Sequence, residues 1–176
     1  MLELIDLIIK NNCKKVAEIG VYKGRTMRSM LRDKHVFNIV EEYWAIDPYK
    51  PMPHYFTRQG KHNAEEWNEL YKKVSSYMAW FPQLKLIKLT SEEAGNLFPK
   101  KYFSDGYFDL VFIDAEHTYE KVKQDIEVWL PLVKENRILC GHDYNNKYHP
   151  GVKQAVDEVF GEANIKLLGN SIWVKK

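Results

Sequence analysis

Five short apolar runs alternate along the chain with stretches of helical periodicity, and this alternation limits the possible folds more than any single motif. The runs are "KVAEIGV" (Lys15 to Val21), "YWAID" (Tyr43 to Asp47), "LKLIKLT" (Leu84 to Thr90), "FDLVFID" (Phe108 to Asp114) and "RILCGHD" (Arg137 to Asp143). Each has the length of a strand, and near-continuous apolar strands belong to sheets covered on both faces. Between them, Trp67, Leu70, Tyr71, Val74, Met78 and Phe81 share one helical face, opened by a capping box of Asn63 with Glu66. Tyr119, Val122, Ile126, Trp129 and Leu130 form a second stripe. Val152, Ala155, Val156, Val159 and Phe160 form a third, with Pro150 before it and Gly161 after. The final "NIKLLGNSIWVKK" places a Gly-Asn turn between two apolar segments and reads as a closing hairpin. The pattern predicts an α/β fold with a doubly wound, mainly parallel, seven-stranded sheet in three α/β/α layers, its antiparallel hairpin at or near one edge. Lys85 and Lys88 mark "LKLIKLT" as an edge strand or one with an exposed side.

With 176 residues, 45% of them hydrophobic, the chain holds one domain over residues 1–176 and has no room for a second. Its 26 basic and 24 acidic side chains give +2, which argues against a dedicated nucleic-acid binder. Only Cys13 and Cys140 are present, too few for a disulfide framework, so a reducing cytoplasm is expected. At the N-terminus, Leu2, Ile5, Ile8 and Ile9 fall at helical spacing in a segment interrupted by Glu3 and Asp6. This predicts an amphipathic packing helix over residues 1–12, with no membrane partner.

In sheets of this kind ligands sit beyond the carboxyl ends of the strands, where the winding reverses. After the first strand, "EIGVYKGRT" carries Glu18, Gly20 and Gly24. The G-x-x-x-G spacing departs from the dinucleotide G-x-G-x-x-G, and Glu18 would repel a pyrophosphate while favouring a cationic group, which counts against a nicotinamide-dependent oxidoreductase. Asp47 at the second strand end suits either a bidentate grip on two ribose hydroxyls or the backbone bonds of an Asp-Pro turn. After the third strand, Thr90 or Ser91 can cap a short helix, with Glu92 and Glu93 in its first turn. The fourth strand ends at Asp114, followed by Glu116, His117 and Glu120, and the fifth at His142 and Asp143.

With Glu18-x-Gly20-x-x-x-Gly24, Asp47, Ser91 and Asp114 at successive strand ends, the chain resembles the class I S-adenosylmethionine-dependent methyltransferases, a Rossmann-like family, over nearly its whole length. "FIDAEHTYEKVKQDIEVWLPLVKENRILCGHDY" and "HPGVKQAVDEVF" resemble its branch of small O-methyltransferases that act on macrolide sugars and in cephalosporin biosynthesis. The resemblance implies S-adenosyl-L-methionine as cofactor. It assigns Glu18, Gly20 and Gly24 to the methionine part, Asp47 to the ribose, and Ser91 and Glu92 to the adenine, with Asp114 expected to serve both cofactor binding and catalysis. Several relatives bind a divalent cation at positions that map to Asp114, His142 and Asp143, but their strand-five pair is usually two acids or Asp-Asn where this chain has His-Asp; imidazole at His142 suits zinc or manganese better than magnesium. His117 takes the role of the base that deprotonates the acceptor, with His142 or a metal-bound hydroxyl as rivals.

Glu116 and Glu120 read as acids of a helix start, His117 or Thr118 as its cap and Tyr119 as the first residue of the buried stripe. Acceptor recognition is expected from two loops, residues 48–63, rich in proline, aromatic and basic side chains, and residues 144–151, where Tyr144, Asn145, Asn146, Tyr148 and His149 could bond sugar hydroxyls. The reading is a small-molecule or sugar O-methyltransferase with no nucleic-acid partner, the homo-oligomeric state open and a non-catalytic cofactor-binding module as the alternative.

Overall fold

The computed structural model describes residues 2–52, 62–98 and 103–176, so most of the predicted loop over residues 48–63 lies outside the described residues. In chain order the elements are α1 (Leu2–Lys10), β1 (Lys15–Ile19), α2 (Arg25–Arg32), α3 (Lys34–Ile39), β2 (Glu42–Ile46), α4 (Ala64–Ser75), β3 (Leu84–Ile87), α5 (Ser91–Gly95), β4 (Phe108–Ile113), α6 (Tyr119–Trp129), β5 (Val133–Gly141), α7 (Pro150–Phe160), β6 (Ile165–Leu168) and β7 (Ile172–Lys175). They form one seven-stranded sheet in the order β3-β2-β1-β4-β5-β7-β6. The first five strands pair in parallel, and β7 runs antiparallel to both β5 and β6. The lysine-bearing β3 is an edge, as its composition predicts. Winding reverses between β1 and β4.

The pleat sends alternate side chains of each strand into two cores. From β4, Leu110 and Phe112 join Val16, Tyr43 and Cys140 beneath α1 to α4, around Met27, Met30, Trp67 and Val74. Val111 and Ile113 point the other way, joining Ala17, Ile19 and Trp173 beneath α5 to α7, around Val122, Ile126, Trp129 and Val156. The capping box of Asn63 and Glu66 is formed, and Gly161, with φ 78°, ends α7. No helix among the described residues is long and apolar enough to cross a membrane.

Three local expectations are corrected. In α1 the buried positions are Leu4 and Ile8, whereas Leu2 is 76% exposed, so the apolar stripe is rotated from the predicted one. Met78 is 40% exposed because α4 ends at Ser75 and a 3₁₀ turn carries Ser76–Ala79, which changes the angle between successive side chains. Finally, β5 starts at Val133, ahead of the apolar run, through partly or fully exposed residues that hydropathy alone does not mark as strand.

The close approach of β1 to β4 depends on Gly20. Its φ is +91°, and a Cβ there would lie 2.2 Å from the Asp114 carbonyl oxygen and 2.6 Å from Ala115 Cα. The Gly20 N–H donates to Ile46 O at 2.9 Å, while Asp114 N–H donates to Ile19 O at 2.8 Å, so the turn is bound to both neighbouring strands. Gly20→Ala combines an unfavourable φ with a clash against backbone and is expected to cost about 3 kcal/mol or more in a urea-unfolding measurement.

Candidate active site

Asp47, just beyond β2, is 5% exposed and turned into the turn backbone. Its Oδ2 accepts from Val21 N at 3.0 Å and Tyr22 N at 2.9 Å, and its Oδ1 from Tyr49 N at 2.8 Å. Burial raises its pKa, against the pull of these three N–H groups. The open bidentate grip on a ribose is therefore not the arrangement seen; the Asp-Pro turn is. Tyr22 and Tyr49 both have positive φ, 49° and 44°, a conformation held by these bonds.

Glu18 is also sealed in, at 1% exposure, and faces the core beneath α1 to α4 instead of the mouth. Its Oε2 accepts from Tyr43 Oη at 2.6 Å. Burial, together with the nearby charges of Asp114 and Asp47, pushes its pKa up to about 8 despite that bond. Gly24, with φ 66°, is the N-cap of α2, and its absent side chain makes room for Met27 and Val74, so its smallness serves the packing of α2 on α4. Thr90 caps α5 in a capping box with Glu93. Ser91 Oγ accepts from Trp129 Nε1 at 2.8 Å, and Glu92 Oε2 accepts from Gln124 Nε2 at 2.9 Å; both residues tie α5 to α6. Nearby in α6, burial pushes the pKa of the Asp125 carboxyl up to about 7.

Asp114, His117, His142 and Asp143 do come together, joined by His149. The backbone places them: Asp114 and His142 continue the sheet ladder through Ile19 O and Ile113 O, and Asp143 takes φ 61° immediately after. His117 lies in the loop before α6, whose N-cap is Thr118. Glu116 consequently precedes the helix and accepts from Thr118 Oγ1 at 3.1 Å, while Glu120 occupies the first turn as expected. Gly151 permits the start of α7 to reach this loop, since a Cβ there would lie 2.5 Å from Tyr119 N and 2.9 Å from His117 O. As a result the His149 ring stacks on His117 with centroids 4.3 Å apart. Of the other loop candidates, Tyr144 is turned inward, its hydroxyl bonded to Asp157 and Lys153 and not open to an acceptor.

His117 Nε2 lies 3.0 Å from Asp143 Oδ2 and 3.5 Å from Asp114 Oδ1, yet it is buried and has no well-directed hydrogen bond. Burial opposes its charge, but the contacts and charges of Asp114 and Asp143 prevail and push its pKa up to about 9. The same pairing holds the Asp143 carboxyl well below the usual carboxylate range, against the effect of burial. His142 Nδ1 lies 3.1 Å from Asp143 Oδ1, which raises its pKa, and its Nε2 is 2.9 Å from Ser171 Oγ. His149 is shifted the other way by burial and by the neighbouring His117.

Two overlapping groups have ligand atoms within 4.8 Å of one another: Asp114, His142 and Asp143, and His117, Asp143 and His149. The nitrogen content of both, and the buried His117 Nε2 without a directed bond, fit a borderline divalent cation such as zinc or manganese better than magnesium. The sequence reading did not place His149 among the ligands, because only the seating of α7 brings it over His117.

Glu18 offers a test of this electrostatic picture. Its folded pKa of about 8 exceeds the ordinary value of 4.5, so the folded state retains a proton that the unfolded chain loses between those values. Its contribution to stability is complete below about pH 4.5 and is lost as pH rises through about 8. Thermal melting across that range should show wild-type stability declining with pH and Glu18→Gln flattening the decline.

The chain matches the model of the family described as "Methyltransferase domain" over residues 17–144. It is 22% identical over 138 residues to the uncharacterized protein y4gI of Sinorhizobium fredii, a match that covers 77% of this chain but spans only 14% of that much longer protein. Among solved structures, the calicheamicin methyltransferase CalS11 superposes with a TM-score of 0.72 at 16% identity, covering 99% of this chain and 77% of that one. The apo form of CalS11 is described as a TDP-rhamnose 3'-O-methyltransferase. An O-methyltransferase from Bacillus cereus, solved in complex with SAH, superposes with a TM-score of 0.57 at 12% identity, covering 98% of this chain and 77% of that one. These structural matches establish the shared fold, and the family match covers most of the chain, including the strand ends that carry Glu18, Gly20, Asp47, Asp114, His142 and Asp143. The chain belongs to the methyltransferase-domain family.

Proposed function

We propose that the chain is an S-adenosylmethionine-dependent O-methyltransferase whose acceptor is a small molecule bearing a hydroxyl, of the sugar-containing kind. The observation that carries this reading is the grouping of Asp114, His117, His142 and Asp143 at the strand ends, beside the Gly20 turn and at the reversal of the sheet, in a chain of this family. A cavity of about 700 Å³ beside the ends of β2 and β3, lined by Pro48, Tyr49, Lys88 and Leu89 among others, has room for the adenosine end of the cofactor. Gly20 would lie under its methionine end. Asp47 acts by holding the Val21, Tyr22 and Tyr49 backbone in place for that cofactor. The two buried free thiols accord with a reducing, cytoplasmic setting.

Transfer from a sulfonium is an in-line displacement: the acceptor oxygen forms its bond to the methyl carbon as the carbon–sulfur bond breaks and the thioether leaves. The hydroxyl proton needs an acceptor at the mouth. His117 serves as that base from its neutral form, which the pKa near 9 makes the minor form at neutral pH, with Asp114 and Asp143 stabilising the imidazolium that results. A divalent cation held by Asp114, His142 and Asp143 would supply Lewis acidity toward the acceptor oxygen.

His117→Ala is expected to leave the affinity for S-adenosylhomocysteine within a few-fold in calorimetry, while turnover falls about a hundredfold or more. Turnover would be followed with labelled S-adenosylmethionine across a panel of glycosylated and simple hydroxyl acceptors, with and without chelator. Unchanged turnover in the variant removes His117 from the chemistry, and cofactor binding without transfer to any acceptor favours a binding module.

A further inference from the structure

Between α2 and α4 lies a hollow of about 220 Å³ lined by Lys23, Arg25, Arg28, Leu70, Lys73 and Tyr77. Four of its six lining residues are cationic and none is acidic, in a chain whose net charge is only +2. No ion pair joins any of the four to an acid among the described residues. An adjoining hollow shares Lys23, Leu70 and Lys73 and is lined by Glu65, Glu66 and Glu69 of α4, of which Glu69 pairs with Lys72 at 2.7 Å and Glu66 closes the capping box on Asn63. Arg28 lies with its guanidinium 4.8 Å from the Tyr77 ring centroid, and its Nε is buried without a hydrogen-bond partner.

The position of these charges conflicts with the local preference of the helix. A helix N-terminus favours anions and disfavours cations. Yet the first turn of α2 has no acid and starts on Arg25, two residues after Lys23, and its N-cap Gly24 contributes no side-chain bond. An eight-residue helix gains little by itself to offset this, and such a conflict between local preference and fold is expected where a ligand supplies the missing term. An anion seated among Lys23, Arg25, Arg28 and Lys73 would compensate their charges and complement the helix end.

We infer that this hollow binds a phosphate-bearing small molecule through a phosphate or diphosphate group held by Arg28 and Lys73, with Lys23 and Arg25 at its rim. The site is separate from the Asp114 to His149 cluster and stands whether or not methyl transfer is the reaction. The same chemistry could come from a free inorganic anion or from a diphosphate within a nucleotide, and two ligands distinguish these sources.

Inorganic pyrophosphate titrated calorimetrically into the wild-type protein should give saturable binding to one site. Arg28→Gln and Lys73→Gln should each weaken it by about tenfold or more, the scale of a lost charge-assisted contact. Lys166→Gln removes the same charge from the distant edge strand β6 and should leave the affinity within about twofold, as expected for an exposed charge beyond the screening distance. Thermal melting shows that each variant is folded. Thymidine diphosphate binding more tightly than pyrophosphate, with the same dependence on Arg28, supports the site with a nucleotide as source; equal affinities support it with a free anion. Absence of saturable pyrophosphate binding, equal weakening by Lys166→Gln, or Arg28-dependent binding that grows with the length of a single-stranded oligonucleotide would overturn the inference.

Discussion

One buried carboxylate organises the carboxyl-terminal side of the parallel strands. By accepting three backbone N–H groups, Asp47 joins the turn after β1 to the turn after β2, two segments that nothing local would hold together. It can do so because it stands at the end of a strand paired directly with β1, within reach of Val21 and Tyr22. Buried N–H groups must find acceptors, and an ionised carboxylate is a strong one. Gly20 completes the arrangement from the other side by letting the turn rest on the Asp114 backbone. The end of β4, and with it Asp114 of the polar cluster, is thereby positioned relative to the glycine turn.

The acids around this turn differ by environment more than by type. Glu18 and Asp47 are sealed from water, and burial raises the pKa of both. Asp143 stays partly accessible between two imidazoles that strongly favour its ionised form. His117 answers with a raised pKa, so the polar cluster is a charge-paired unit rather than a set of independent groups. Its opposite number is the basic hollow between α2 and α4, whose cations lack such partners among the described residues.

Much of the architecture was legible because burial on both faces of a parallel sheet leaves a hydropathy record. The five apolar runs, the lysine-marked edge and the Gly-Asn hairpin all correspond to elements of the sheet. Misreadings occurred where that record is weak: the exposed start of β5, the 3₁₀ turn that exposes Met78, and the rotation of α1. Within the site, convergence of Asp114, His117, His142 and Asp143 followed from their places at strand ends. The directions of Glu18, Asp47, Ser91 and Glu92 did not, because each chose a partner distant in sequence or an adjacent backbone group over an open position at the mouth.

The sequence by itself determined the order of elements, the residues available at each strand end and the family resemblance, since periodicity and spacing are properties of the linear chain. Only the tertiary structure decided which side chains remained available to a ligand. That decision depends on long-range contacts: Tyr43 against Glu18, Trp129 against Ser91, and the close approach at Gly151 that stacks His149 on His117. A polar residue at a strand end can face a ligand or satisfy buried donors of the protein. Which of these wins is set by the unpaired groups that folding brings beside it.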